Sequence, residues 1–224
     1  MTPDTLAGPP IRLVIFDCDG VLVDSEGPSN RIVAEEITKL GWPMTEAEST
    51  ALFVGYRLSD VPAVIEGKMG HAVPEGWVEI LRGRLIAAFD VVPTIPGAHA
   101  ALQAVTGLGL PFRVASNSSH EEMDAKFHHT GLDALIQRRQ HSARDVPQGK
   151  PAPDVFLHAA AAEGIPPEAC VVIEDSLPGI AAAHAASMRV IGLETHGNRA
   201  TLQAAGAHTI ATLAELPALL RSLA

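Results

Sequence analysis

Four short runs of the chain are continuously apolar rather than alternating: Arg12 to Phe16, Pro111 to Ala115, Cys170 to Ile173 and Arg189 to Leu193. Continuous β-branched or aromatic runs are how strands covered on both faces of a parallel sheet read. Between them the spacing changes to that of helices. Ala98 to Leu108 places apolar residues at Ala98, Ala101, Leu102 and Val105. Pro153 to Gly164 opens on a proline suited to a first turn and closes on a glycine suited to the position after a helix. Leu177 to Ser187 has Pro178 early and an alanine-rich body that allows close approach to a sheet. Weaker strands are expected at Ala134 to Gln137 and near Thr209 to Ala211, with a terminal helix over Leu213 to Leu223. Strands alternating with helices predict an α/β domain built on a parallel sheet.

One segment breaks the alternation. Between Gly27 and about Pro93 no convincing strand is found, only helix-like stretches at Ser29 to Leu40, Glu46 to Phe53, Leu58 to Met69 and Glu75 to Phe89. The cluster Pro93-Thr94-Ile95-Pro96-Gly97 marks a return. The expected organisation is a core of residues 1–26 and 94–224 with a helical module, residues 27–93, inserted after the first strand.

Ligands of α/β sheets gather beyond the carboxyl ends of parallel strands. The first run ends in Asp17 and Asp19, the second in Ser116 and Asn117, and the third in Glu174 and Asp175, while Lys150 precedes Pro151 ahead of a helix. Crowded carboxylates repel unless a cation or a reacting group offsets them. Alone, Asp17 and Asp19 read as readily as an acidic loop or a partial Ca²⁺ loop as they do as a reactive pair, Glu174-Asp175 reads more often as a cap or solvated turn, and Lys150 as surface charge. Converging, these oxygens suit Mg²⁺, and a lysine beside a hydroxyl suits a phosphate group. Asp24 and Ser25 are expected to hold the turn into the helical module rather than to touch phosphorus, and Cys18 to point into the core.

The ordered set Asp17-Cys18-Asp19-Gly20, then Ser116-Asn117, then Lys150-Pro151, then Glu174-Asp175-Ser176, resembles the motifs of the haloacid dehalogenase-like superfamily over Ile11 to about Leu193. The resemblance implies a Rossmann-like parallel sheet core with an all-helical cap over the site. It also implies that Asp17 is a nucleophile forming an aspartyl-phosphate and that Asp19 is the general acid and then the base. Asp17, Asp19 through its backbone carbonyl, Glu174 and Asp175 would hold Mg²⁺, and Ser116, Asn117 and Lys150 would bind the phosphoryl group. The acid at Asp19 sets the chain apart from the superfamily's dehalogenases. Phosphonate-cleaving relatives use a cap lysine, whereas the lysines of residues 27–93 here are Lys39 and Lys68.

Among its members the chain is similar to the β-phosphoglucomutase-like and sugar-phosphate phosphatase branch. Mutases of that branch carry a histidine where this chain has Ser29, and a Lys-Asn pair where it has Ser119-His120. Hydrolysis of a small sugar phosphate or phosphorylated sugar acid is therefore expected over a phosphomutase. A non-catalytic phosphate-binding protein is disfavoured because each catalytic position holds the reactive residue type. Gly55 and Arg57 fall where the family's specificity loop lies, and Arg57 is expected either to meet a second anionic group or to pair with Asp60.

Composition narrows the partners. The 224 residues carry a formal net charge of −10, which argues against nucleic acid. The apolar share of 47% is that of a globular chain. The two cysteines, Cys18 and Cys170, give no disulfide framework and suit a reducing compartment. With no leader pattern before Ile11 and no apolar run approaching the roughly 18 residues of a membrane span, the expectation is a cytoplasmic monomer or small homo-oligomer acting on a small phosphorylated metabolite.

Overall fold

The computed structural model describes residues 5–53, 56, 58–89, 92–195 and 197–223. Its centre is a sheet of β1 (Leu13–Phe16), β2 (Phe112–Ser116), β3 (Gln140–Ser142), β4 (Cys170–Glu174), β5 (Arg189–Leu193) and β6 (His208–Ile210). Their order across the sheet is β3-β2-β1-β4-β5-β6, with every pairing parallel. The chain runs outward from β1 toward β2 on one side and toward β4 on the other. The carboxyl end of β1 therefore lies at a topological switch point, where a crevice opens between diverging connections.

Alternation along β1 assigns its two faces. Leu13 and Ile15 pack with Val155, Phe156, Ala159, Ala182 and Ala183, which belong to α8 (Asp154–Glu163) and α9 (Leu177–Ala185). Val14 and Phe16 pack with Ala98, Ala101, Leu102 and Val105 of α5 (Ala98–Gly107), and with Met123 and Phe127 of α6 (His120–Thr130). Every residue of β1, β4 and β5 is buried, as expected of strands sandwiched between helical layers.

The expected weak strand at Ala134 to Gln137 is corrected: Asp133–Ile136 is a short helix, α7, and the strand lies at Gln140–Ser142. Gln137 and Arg138 turn the chain with φ of 46° and 65°, which ends the helix and delays the strand. As an edge strand paired on one side only, β3 is polar, so no apolar run announces it. Two helices had not been anticipated, α6 and α10 (Arg199–Ala204). α6 begins with a reciprocal capping box, in which the Ser119 hydroxyl accepts from the Glu122 N–H and the Glu122 carboxylate accepts from the Ser119 N–H at 2.6 Å.

Between β1 and α5 run α1 (Glu26–Lys39), α2 (Glu46–Phe53), α3 (Val61–Met69) and α4 (Trp77–Ala88). Ile32, Val33, Ile37, Phe53, Val61, Ile65, Trp77, Leu81 and Leu85 bury their side chains together. Arg84 of α4 bonds Glu35 of α1 at 2.7 Å and also holds Glu36. The outgoing and returning chains are tied to each other: the Asp24 N–H donates to Pro93 O at 2.9 Å, and the Ile95 N–H to Leu22 O at 3.0 Å. Among the described residues no helix is long and apolar enough to cross a membrane.

Candidate active site

The strand ends deliver their polar residues to one place. Asp17 continues β1, its N–H donating to Ile173 O at 2.9 Å, so its backbone is locked between β1 and β4. Lys150 Nζ reaches Asp17 Oδ1 at 2.6 Å and Glu174 Oε1 at 2.7 Å, and it lies 4.6 Å from the Phe156 ring centre. The loop carrying this lysine is clamped by Asn117, whose Oδ1 accepts from Lys150 N at 2.9 Å and whose Nδ2 donates to Lys150 O at 3.1 Å. Ser116 is buried at the end of β2, and its Oγ accepts from the Ser118 N–H at 3.0 Å.

Glu174 is fixed from behind. Its Oε2 accepts from the N–H groups of Asp175 and Ser176 and from the Ser176 hydroxyl, each at 2.9 Å. These donors are the start of α9, where the helix end favours negative charge. With one oxygen saturated and the other on Lys150, Glu174 anchors the lysine more directly than it faces the cavity. Asp17, Glu174 and Asp175 offer carboxylate oxygens all within 4.8 Å of one another, and all three residues are buried. Gly20, at φ 75°, gives Asp175 its room: a Cβ there would stand 2.1 Å from Asp175 Oδ2.

Asp19 faces a different set. Its Oδ1 accepts from Lys126 Nζ at 2.6 Å and from the Ser25 hydroxyl, and its Oδ2 accepts from the Ser118 hydroxyl at 2.9 Å. Lys126 also donates to Ser118 Oγ at 3.1 Å and lies 4.4 Å from the Phe89 ring centre. Sequence reasoning missed Lys126 because it missed α6, the helix that carries it. Ser25 does more than hold a turn, since it touches Asp19 and lines the cavity, whereas Asp24 is exposed. Cys18, between the two aspartates, is wholly buried in the core as expected.

Two carboxyl groups two residues apart are thus pushed in opposite directions. Burial drives Asp17 up, the Lys150 ammonium opposes this and Glu174 and Asp19 add to it, leaving its pKa at about 7. Burial also acts upward on Asp19, but Lys126 and the hydroxyls outweigh it and hold Asp19 below the usual carboxylate value. Lys150 and Lys126 are both raised, since their carboxylate partners more than offset the cost of desolvation. Burial raises the Cys18 and Cys170 thiols, which leaves both unreactive at neutral pH.

Four carboxylates meet two ammonium groups here, which leaves an excess of negative charge that one divalent cation would offset. The oxygen-only donor set of Asp17 and Asp175, with Glu174 beside them, fits a hard cation such as Mg²⁺. Above these groups is a cavity of about 180 Å³. Ser29, Asn30, Phe53 and Tyr56 line it from the helical segment, and Asp17, Ser116, Lys126 and Lys150 line it from the sheet side. Its volume admits one small molecule. Gly55 and Arg57, the expected specificity residues, lie outside the described residues.

The chain resembles known proteins over most of its length. A family model for haloacid dehalogenase-like hydrolases matches residues 11–187. The chloroplastic protein SUPPRESSOR OF QUENCHING 1 of Arabidopsis thaliana is 34% identical over 202 residues, 88% of this chain but only 19% of that protein's length. Hexitol phosphatase B of Escherichia coli (strain K12) is 31% identical over 188 residues, 81% of this chain and 82% of that one. A crystal structure of a HAD family hydrolase from Deinococcus radiodurans R1, with bound phosphate and sodium, superposes with a TM-score of 0.76 at 34% identity, covering 96% of each chain.

Proposed function

Because the chain belongs to the haloacid dehalogenase-like hydrolase family, we propose that it is a Mg²⁺-dependent phosphatase of a small phosphorylated metabolite, a sugar phosphate or phosphorylated sugar acid. The observation that carries the reading is the double contact of Lys150 with Asp17 and Glu174, beside the Asp17, Glu174 and Asp175 oxygens. It sets one ammonium directly on the Asp17 carboxylate, and a cation held by the neighbouring oxygens would add a second, which would keep Asp17 a nucleophile despite its burial.

In this mechanism Asp17 Oδ attacks phosphorus, the bond to the leaving alcohol breaks, and Asp19 passes its proton to the alcohol oxygen. An aspartyl-phosphate forms on Asp17. Asp19, now a carboxylate, takes a proton from water as the water oxygen attacks phosphorus, and Asp17 leaves as a free carboxylate. Lys150 and Ser116 hold the phosphoryl oxygens throughout, while Asn117 fixes the Lys150 loop. Asp17, Asp175, the Asp19 carbonyl and Glu174, directly or through water, would hold Mg²⁺, which would supply charge stabilisation to the transferring group. The separate surroundings of the two side chains, Asp17 on Lys150 and Asp19 on Lys126, Ser25 and Ser118, support dividing the two roles between them.

Residues 27–93 act as a cap that closes the cavity over the substrate and excludes bulk water. The substrate class rests on the cavity's size and on the similarity to hexitol phosphatase B, whose name describes a phosphatase of sugar alcohols. A panel of phosphorylated metabolites assayed for phosphate release with Mg²⁺ tests the reading. It predicts turnover confined to small sugar or sugar-acid monophosphates and abolished by EDTA, and release that persists in EDTA contradicts it.

A further inference from the structure

Lys126 is the one buried cation, among the described residues of the cavity, that the proposed mechanism leaves without a task. Its side chain is only 3% exposed, so it has lost nearly all its hydration, a cost that a chain carries only where partners replace it. The nearby Glu122 carboxylate is committed to the start of α6, where its Oε2 accepts from Ser119 N at 2.6 Å and Ser119 Oγ at 2.8 Å. The bonded anion of Lys126 is therefore Asp19. The three groups close a triangle: Lys126 donates to Asp19 Oδ1 and to Ser118 Oγ, and Ser118 donates to Asp19 Oδ2. The side chain of Asp19 remains 28% exposed, so one side of the tethered carboxylate is open, and Asp19 itself lines the cavity.

We propose that Lys126 is a positioning residue that fixes Asp19 as the base for water attack on the aspartyl-phosphate. The inference rests on the reading of Asp19 as the acid and base of the reaction. In the water-attack half, an oxygen–hydrogen bond of water breaks, its proton goes to Asp19, a phosphorus–oxygen bond forms to water, and the bond to Asp17 breaks. Lys126 gives up no proton. It holds the accepting carboxylate in one place through the bonds to Oδ1 and Oδ2, which favours hydrolysis over a long-lived phosphoenzyme.

The two halves separate with p-nitrophenyl phosphate, because nitrophenolate leaves without an acid. Lys126→Met is expected to retain the rapid first release of nitrophenolate while steady-state turnover falls on the order of ten- to a hundredfold. The burst amplitude then rises above that of wild type, and Lys126→Arg recovers part of the steady-state rate. Ser118→Ala keeps the test independent of whether Lys126→Met folds, since it removes the bonds of the Ser118 hydroxyl to Asp19 Oδ2 and Lys126 but leaves the Lys126–Asp19 bond, and it should show the same separation at smaller size. If burst and steady state fall together in Lys126→Met, or neither phase changes in Ser118→Ala, the inference is overturned. Asp19→Asn distinguishes the two failures. A slow steady state in Asp19→Asn with unchanged phases in the Lys126 and Ser118 variants sinks only the positioning role. Wild-type turnover in Asp19→Asn sinks the reading of Asp19 itself.

Discussion

Gly179 lies so close beneath Glu174 that a Cβ on it would stand 1.7 Å from Oε1 and 2.4 Å from Oε2. Gly179 N–H donates to the Ser176 hydroxyl at 3.1 Å, and that hydroxyl donates to Glu174 at 2.9 Å. The glycine is thus part of the cradle that sets the carboxylate against Lys150.

Gly179→Ala should displace Glu174 and with it the Lys150 ammonium. Overpacking of this kind costs about 1–3 kcal/mol in stability. The expected outcome is a lower thermal midpoint together with a loss of phosphate release larger than the stability loss explains. Unchanged turnover in the folded variant would mean that Glu174 has room to relax.

Lys150→Met leaves Asp17 and Glu174 facing each other in a buried site without their shared cation. Breaking a buried ion pair on one side costs about 3–5 kcal/mol, so a marked fall in thermal midpoint is expected at neutral pH. As pH falls from about 7 toward 4 the penalty should shrink, because the buried Asp17, whose pKa is raised to about 7, takes up a proton and no longer needs the missing cation. An equal penalty at both pH values would show that packing, not charge, makes Lys150 important.

Much of this site was legible because its parts follow apolar runs. Asp17, Ser116 and Glu174 each terminate or follow a strand that is hydrophobic apart from Arg113 in β2, and a parallel sheet brings such ends together. Lys126 was illegible for the opposite reason. The helix His120–Thr130 carries Glu121, Glu122, Asp124, Lys126, His128 and His129, and its apolar side is limited to residues such as Met123 and Phe127. Nothing local distinguishes a lysine that will be buried by an aspartate 107 positions away from one left in solvent. The displaced strand at Gln140–Ser142 shares that cause, since an edge strand needs only one buried side and its residues are polar.

His141 sets a pH limit on stability away from the site. It is buried on β3, its Nδ1 lies 3.4 Å from Nδ1 of His158, and its pKa is lowered to about 4 by burial, then by His158, Arg113 and His120, with Asp145 opposing. The unfolded chain therefore binds this proton near pH 6.5 and the folded chain only near 4. Stability from this residue is present above about pH 6.5 and is lost as pH falls toward 4, a change on the order of 3 kcal/mol. Thermal midpoints across that window should fall more steeply for wild type than for His141→Gln, and parallel curves would refute the assignment.

A cation that binds the folded site stabilises the protein by mass action. Mg²⁺ at a hundred times its Kd should add about 2.7 kcal/mol, seen as a rise in thermal midpoint that EDTA reverses. Asp175→Asn should lose that rise while retaining the fold, because it removes a carboxylate from the trio with Asp17 and Glu174. A rise of the same size in Asp175→Asn would place the ion elsewhere.

The central claim is that the carboxylate of Asp17 is the group that takes the phosphoryl. Its most direct measurement is the rate of p-nitrophenyl phosphate hydrolysis with saturating Mg²⁺ by wild type and by Asp17→Asn, which removes the charge and keeps the shape. The account predicts steady turnover by wild type and release at the uncatalysed background by the variant. Equal rates from the two proteins would contradict it.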